Sequence, residues 1–200
     1  MSNKEQNSNK DLLKPEIMIQ LYAKGAFPMA DEKTGIINWY LPETRCIIPL
    51  NNFNIPRSVK KIIDKEYFEF RFNTDFLSIV KGCADRESTW ISDELIKAYL
   101  KLQRRGHIQT VEVWKDGVIV GGLYGVSFRG AFFGESMFSK VSQASKAALA
   151  KLIYHLKEKD FVLLDVQYMT EHLKMFGAIE ISWSEYQEKL LESYLRNCEF

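Results

Sequence analysis

The stretch GESMFSKVSQASKAALAKL, Gly134–Leu152, followed by LLDVQYMTEHLKMFGA, Leu163–Ala178, reads as strand, helix, strand, short helix. Between Ala144 and Lys157 the residues Leu149, Leu152, Ile153 and Leu156 form one apolar stripe at helical spacing. Val162–Tyr168 is short and apolar except at Asp165 and Gln167. Residues two apart on a strand share a face, so this polar pair points together while Val162, Leu164 and Val166 turn to the core. Glu135 ends the preceding strand, around Ala131–Glu135, as the only acid in an apolar, aromatic run. Two acids and an amide on neighbouring strand edges, beside an apolar cleft, suit acyl transfer to an amine. Plainer readings compete: the pair can cap the next helix, and a buried Glu135 can sit in an internal salt bridge.

Working outward, Gln109–Trp114 and Val118–Tyr124 flank Lys115-Asp116-Gly117, a hairpin signal. Upstream, Phe68–Phe72 alternates as a strand does. Thr74 can cap a helix carrying Phe76, Ile79, Val80 and Cys83 on one face. Ser92 can cap the next, with Asp93 and Glu94 in its first turn, Arg104 and Arg105 in its last, and Gly106 as its stop. Pro15–Lys24 reads as a short helix ended by Gly25, and Ile55–Lys65 as a basic, partly helical segment. Gly25–Leu50 is turn-rich, with the short apolar pieces Ile36–Tyr40 and Cys46–Ile48. Thr170–Phe176 is a short helix and Ala178–Trp183 a last strand.

Antiparallel strands followed by helix, strand, helix and strand make the class α+β. The expected organisation is a disordered tail over 1–10, a small N-terminal subdomain over 11–45, and a mixed-sheet domain over 46–200. That domain resembles the acetyltransferase-like (GNAT-like) fold. The glycine-rich loop that opens the long helix of acetyl-CoA enzymes is absent; the region reads SKVSQASK. A pantetheine pyrophosphate would find no backbone nest there, so an acyl donor other than CoA is expected.

A chain of 200 residues with a net charge of +1 does not by itself demand nucleic acid, although net charge hides local patches. Its three cysteines, Cys46, Cys83 and Cys198, are far apart and have no Cys/His metal spacing. A reducing compartment fits them better than a disulfide framework. The N-terminus MSNKEQNSNK lacks an apolar signal region, and no apolar run approaches the roughly 18 residues of a membrane span. A cytoplasmic protein using no metal and no cofactor is the expectation.

Nine motifs occur in order: YAKGAFPM, WYLPETR, TWIS, GHIQTVEVW, VGGLYGV, FFGESMFS, ASKAAL, DVQ and HLKMFGA. With them the chain, from about Leu12 to Trp183, resembles the leucyl/phenylalanyl-tRNA-protein transferases. The resemblance implies transfer of Leu or Phe, and less well Met, from aminoacyl-tRNA to proteins beginning with Arg or Lys, in the bacterial N-end rule pathway. The partners would be the tRNA 3′ end and acceptor stem and the acceptor protein. Three positions depart from the family pattern: Gln109 stands where a second histidine is common, Val166 where the triplet has Cys, and Met29 where some relatives have Trp.

The resemblance implies that the Gln167 carbonyl oxygen accepts a hydrogen bond from the attacking amine while Asp165 orients Gln167. It makes Glu135 a contact for the acceptor. Leu123, Phe132 and Met137 map onto the donor side-chain pocket, against the plainer reading that they are core. Trp90 and Trp39 are candidates for stacking on the terminal adenosine, since a base-aromatic stack contributes roughly 1–3 kcal/mol. Lys97, Lys101, Arg104 and Arg105 share a helical face and, with Arg57, Lys60 and Lys61, can form a patch tracking the tRNA backbone; a solvated face is the plainer alternative. His107 and His172 lack a nucleophile motif and read as structural. Two other functions compete: a CoA-dependent N-acetyltransferase, and a non-catalytic tRNA- or N-degron-binding module.

Overall fold

Residues 11–31 and 33–200 are described by a computed structural model. The expected tail, residues 1–10, lies outside the described residues. Helix α1 (Pro15–Tyr22) has proline in its first turn, where a missing N–H costs nothing. Gly25 follows at φ +82°, and a side chain there would meet the Tyr186 ring at 2.7 Å, so only glycine fits. Strands β1 (Phe27–Ala30) and β2 (Ile37–Tyr40) pair into a small antiparallel sheet.

The main sheet is assembled from β3 (Thr44–Ile47), β4 (Glu69–Phe72), β5 (Ile108–Lys115), β6 (Val118–Phe128), β7 (Ala131–Ser139), β8 (Leu163–Gln167) and β9 (Ile179–Ser182). Its order is β4-β5-β6-β7-β8-β3-β9. All neighbours are antiparallel except β7 and β8. The helices are α2 (Arg57–Asp64), α3 (Phe76–Ala84), α4 (Asp93–Gln103), α5 (Ala144–Glu158), α6 (Glu171–Lys174) and α7 (Trp183–Tyr194). The α5 crossover makes β7 and β8 parallel, as such a connection must.

Side-chain alternation divides the interior into two cores. Tyr124, Val126, Phe133 and Leu163 face α1, α3, α4 and α7. Val111, Leu123, Phe132 and Leu164 face the other way, toward α2 and α5. Arg45, read as the end of the N-terminal piece, lies on β3, directly beside β8 in the main sheet.

Ser92 caps α4 by accepting from the Leu95 N–H. At α3 the cap is Asp75 rather than Thr74. Thr74 instead donates to Glu112, a fully buried carboxylate that also accepts the Asp75 N–H at 2.7 Å. Helix α7 is an addition to the sequence reading. Its Ser182 and Glu185 form a capping box.

The decisive feature is a split. β7 and β8 pair at Ala131↔Leu163, Phe132↔Leu164 and Phe133↔Asp165, and the pairing ends there. Gly134 follows on one side and Val166 and Gln167 on the other. The antiparallel strands close on a parallel strand that then parts from its neighbour, and the parting opens a cavity.

Candidate active site

The cavity has a volume of about 700 Å³ and penetrates the sheet where β7 and β8 part. One lobe is apolar: Leu123, Met137, Leu149, Leu152, Leu164 and Leu173 line it. The opposite wall carries Glu135, Gln167, Tyr124, Trp90 and Arg86. The strands thus bring Glu135 and Gln167 to the two sides of one opening.

Asp165 lies deeper than the sequence suggested, with no exposure at all. It forms an ion pair with the equally buried Arg45 and accepts from the Tyr186 hydroxyl at 2.7 Å. Arg45 also donates to the Gly25 carbonyl, with its guanidinium 4.9 Å from the Phe27 ring centre and 4.6 Å from that of Tyr186. A buried charge persists only when paired and hydrogen-bonded, and this one has both kinds of partner.

Gln167 sits at φ +66°, a left-handed conformation unusual for a residue with a Cβ. Its N–H donates to Asp165 Oδ1 at 2.8 Å, which anchors the turn. Its side-chain amide nitrogen donates to Glu135 Oε1 at 3.3 Å. One amide N–H is committed to Glu135, and that bond orients the amide so that its oxygen, which has no partner among the described residues, is open to a substrate.

Glu135 accepts from Tyr22 at 2.9 Å on Oε1 and from Tyr99 at 2.8 Å on Oε2, and those two hydroxyls lie 3.0 Å apart. Burial pushes its carboxyl up to about 7, although the two tyrosine hydrogen bonds pull the other way. The simple salt bridge does not form; hydroxyls and an amide hold this acid instead.

Of the aromatic candidates, Trp90 lines the cavity. Trp39 is partly buried edge-on to Tyr22, ring centres 5.5 Å apart, with its indole N–H unpartnered. Leu123 and Met137 reach the apolar lobe. Phe132 does not: it is fully buried in the second core, stacked 5.7 Å from Phe200. It shares that core with Leu123 and Leu164 but sits on the still-paired part of β7, before the split, with its ring turned to Phe200. His172 lines the cavity, where burial lowers its pKa. His107 shares its Nδ1 with the Ser127 carbonyl at 3.1 Å. Gln109, in place of a second histidine, bonds Gly106, Ser127 and Asn73.

The expected basic patch divides. Arg57, Lys60 and Lys61 are exposed on α2, on the α5 side of the sheet. Lys97, Lys101, Arg104 and Arg105 are exposed on or just after α4, on the other side. Arg105 pairs with Glu16 of α1 at 2.6 Å. Lys97 lines a groove between α3 and α4 with Lys81 and Lys140, and this groove shares Gly82, Asp85 and Lys140 with the cavity.

Family models match in two parts. Residues 47–191 match the leucyl/phenylalanyl-tRNA protein transferase model, and residues 11–43 match the model of that family's N-terminal domain. The chain belongs to the leucyl/phenylalanyl-tRNA-protein transferase family. It is thereby an enzyme, an aminoacyltransferase. Among proteins of that name, one from Gloeobacter violaceus is 45% identical over 94% of this chain and 97% of its own length. Another, from Salinibacter ruber, is 43% identical over 92% and 81%. A third, from Chlorobaculum tepidum, is 44% identical over 90% and 94%. The solved structure of L-PGS from Bacillus licheniformis is similar at a TM-score of 0.45 and 13% identity, over 74% of this chain and 56% of that one.

Within this transferase the sequence reading missed Arg45, Tyr22, Tyr99 and Tyr186, which hold the two acids. It also took Leu149 and Leu152 as core alone, although they face the cavity. No helix among the described residues is long and apolar enough to cross a membrane.

Proposed function

We propose that this transferase moves Leu or Phe, and less well Met, from aminoacyl-tRNA to the α-amine of proteins beginning with Arg or Lys. The product would enter N-end rule degradation, and a charged-tRNA donor fits a reaction in the cytoplasm. The observation that carries this reading is the free amide oxygen of Gln167, fixed by Asp165 beside Glu135 at the mouth of a leucine-lined lobe.

The donor's side chain enters the apolar lobe, which offers shape and no convergent polar groups. Such a pocket separates similar aliphatic side chains by roughly 1–3 kcal/mol. Trp90 stacks on the terminal adenosine. Lys81, Lys97 and Lys140 lead the tRNA 3′ end toward it along the adjoining groove, and α2 offers a separate contact on the far side of the sheet.

A free α-amine ordinarily titrates near roughly 8, so a fair fraction of the acceptor is neutral near pH 7 and a strong base is unnecessary. Gln167 accepts one amine N–H and aims the nitrogen lone pair at the ester carbonyl. Reach within about 3–3.5 Å supplies much of the acceleration. The C–N bond forms, the C–O bond to the tRNA ribose breaks, and the amine proton ends on the ribose oxygen. An amide oxygen cannot hold that proton, so a ribose hydroxyl or water carries it. Asp165, neutralised by Arg45, acts by fixing Gln167 rather than by supplying net charge.

One assay discriminates the readings. Charged leucyl- or phenylalanyl-tRNA is incubated with a peptide beginning in Arg or Lys, with acetyl-CoA as a parallel donor. Transfer from tRNA alone supports the proposal. Acetylation favours an N-acetyltransferase, and tRNA or peptide binding without transfer favours a binding module.

A further inference from the structure

The polar wall of the cavity holds a hydroxyl that the transfer chemistry leaves idle. Tyr124, on β6, is fully buried and lines the cavity, yet its hydroxyl has no hydrogen-bond partner. Tyr22 and Tyr99 both donate to Glu135; Tyr124 belongs to the same aromatic cluster and does not. Its ring packs edge-on against Phe76 at 5.7 Å and against Tyr99 at 5.6 Å, so packing alone sets where the hydroxyl sits. A buried polar atom without a partner is costly, and one on a residue that lines a cavity points to a ligand that completes it.

Counting lone pairs identifies the kind of ligand. A carboxylate offers about four acceptor sites. Glu135 already receives Tyr22 and the Gln167 amide on Oε1 and Tyr99 on Oε2. About one site remains. A guanidinium brings five N–H donors and an ammonium three, so Glu135 cannot satisfy either by itself. The leucine-lined lobe rejects a cation, which leaves the polar wall for it. Burial, with the Glu135 charge adding to it, keeps the phenol well above its usual range, protonated and uncharged. A neutral phenol oxygen can accept from a cation without adding a charge of its own.

We infer that the Tyr124 hydroxyl is an acceptor-specificity group, accepting a hydrogen bond from the cationic side chain of the acceptor's first residue while Glu135 supplies the opposite charge. This rests on the reading that the acceptor begins with Arg or Lys.

The test is Tyr124→Phe, which removes one oxygen and keeps the ring. With charged leucyl-tRNA and an Arg-initial peptide, the peptide KM rises by about tenfold or more, the size of one hydrogen bond to a charged group. kcat and the tRNA KM stay within about twofold, and the melting temperature does not fall, because an unpaired hydroxyl holds nothing in the free protein. An unchanged peptide KM overturns the assignment. So does a loss confined to kcat or to the tRNA KM, or a general loss with a lower melting temperature. Calorimetric binding of the same peptide without tRNA reads the contact apart from the chemistry: weaker binding in the variant supports it even if the wild-type protein transfers nothing, and equal binding sinks it.

Discussion

Asp165 Oδ1 accepts the Gln167 N–H at 2.8 Å across two residues of one strand, and Gln167 holds φ +66°. The contact links a fully buried ion pair to the residue at the cavity mouth. A left-handed residue with a Cβ costs of order 1–3 kcal/mol and persists only where its surroundings over-determine it. The Arg45, Tyr186 and Asp165 cluster supplies that determination.

Breaking the cluster from its cationic side is therefore expensive. Arg45→Met leaves the Asp165 carboxylate buried and unpaired, and stability in urea falls by about 3–5 kcal/mol. Adding Asp165→Asn recovers part of that loss and none of the activity. Equal stability of Arg45→Met and wild type would show that the ion pair is not what holds Asp165.

Gln167→Gly separates conformation from chemistry. Glycine adopts φ +66° without steric cost, so the melting temperature stays close to wild type. The amide oxygen is gone, and turnover collapses. Near-normal turnover in this variant would mean that the backbone turn, not the side chain, is what catalysis needs.

Glu135 gives a pH signature. Its folded pKa of about 7 lies above the ordinary glutamate value of 4.5. Between these values the folded state binds a proton that the unfolded state has lost. Stability therefore falls as pH rises through this window, by on the order of 3 kcal/mol for the full shift. Glu135→Gln, neutral throughout, flattens that decline in thermal melts from about pH 5 to 8. Binding of a cationic acceptor runs the other way: it needs the carboxylate, so wild-type affinity for an Arg-initial peptide improves as pH rises through about 7. Glu135→Gln removes this rise as well.

The apolar lobe sets donor choice. Leu152→Phe narrows it, and the larger donor suffers more: the ratio of kcat/KM for phenylalanyl- over leucyl-tRNA drops by about tenfold, within the roughly 1–3 kcal/mol of such pockets. A proportional loss for both donors would place the side chain elsewhere.

The split basic surface predicts two independent salt terms. Charge removal at Lys81, Lys97 and Lys140 flattens the dependence of log Kd on log salt by about 2, at roughly 0.7 per phosphate on a single strand. Removal at Arg57, Lys60 and Lys61 gives a separate decrement, and the two sets add, because they lie on opposite faces. Strong coupling between the sets would contradict that separation.

The two hairpin strands, the α5 stripe and the Glu135, Asp165 and Gln167 set were legible because each breaks or keeps a simple period. Arg45 was not. An arginine in a turn-rich segment carries no sign that it will be buried beside β8, since its partner Asp165 lies far along the chain and only the strand order brings the two together. Tyr22 and Tyr99 were invisible for a related reason: on a helix stripe a tyrosine reads as a core ring, and only the third dimension shows its hydroxyl meeting an acid. Phe132 faces the same core as the lobe residues, and only its place on the paired part of β7, packed on Phe200 before the strands part, keeps it out of the cavity, which no sequence period shows. Helix α7 did leave a signal, the Ser182–Glu185 capping spacing.

The most direct measurement is single-turnover transfer of leucine from charged tRNA to a saturating Arg-initial peptide, comparing wild type with Gln167→Ala and Asp165→Ala. The expected result, taken per folded molecule because Asp165→Ala leaves Arg45 buried and unpaired, is a rate lower by about a hundredfold or more in both variants, the range for removing an electrostatic or positioning group, with peptide and tRNA binding by the folded fraction nearly intact. Wild-type rates in both variants, with Gln167 and Asp165 gone, would contradict the assignment of this pair as the positioning device for the amine.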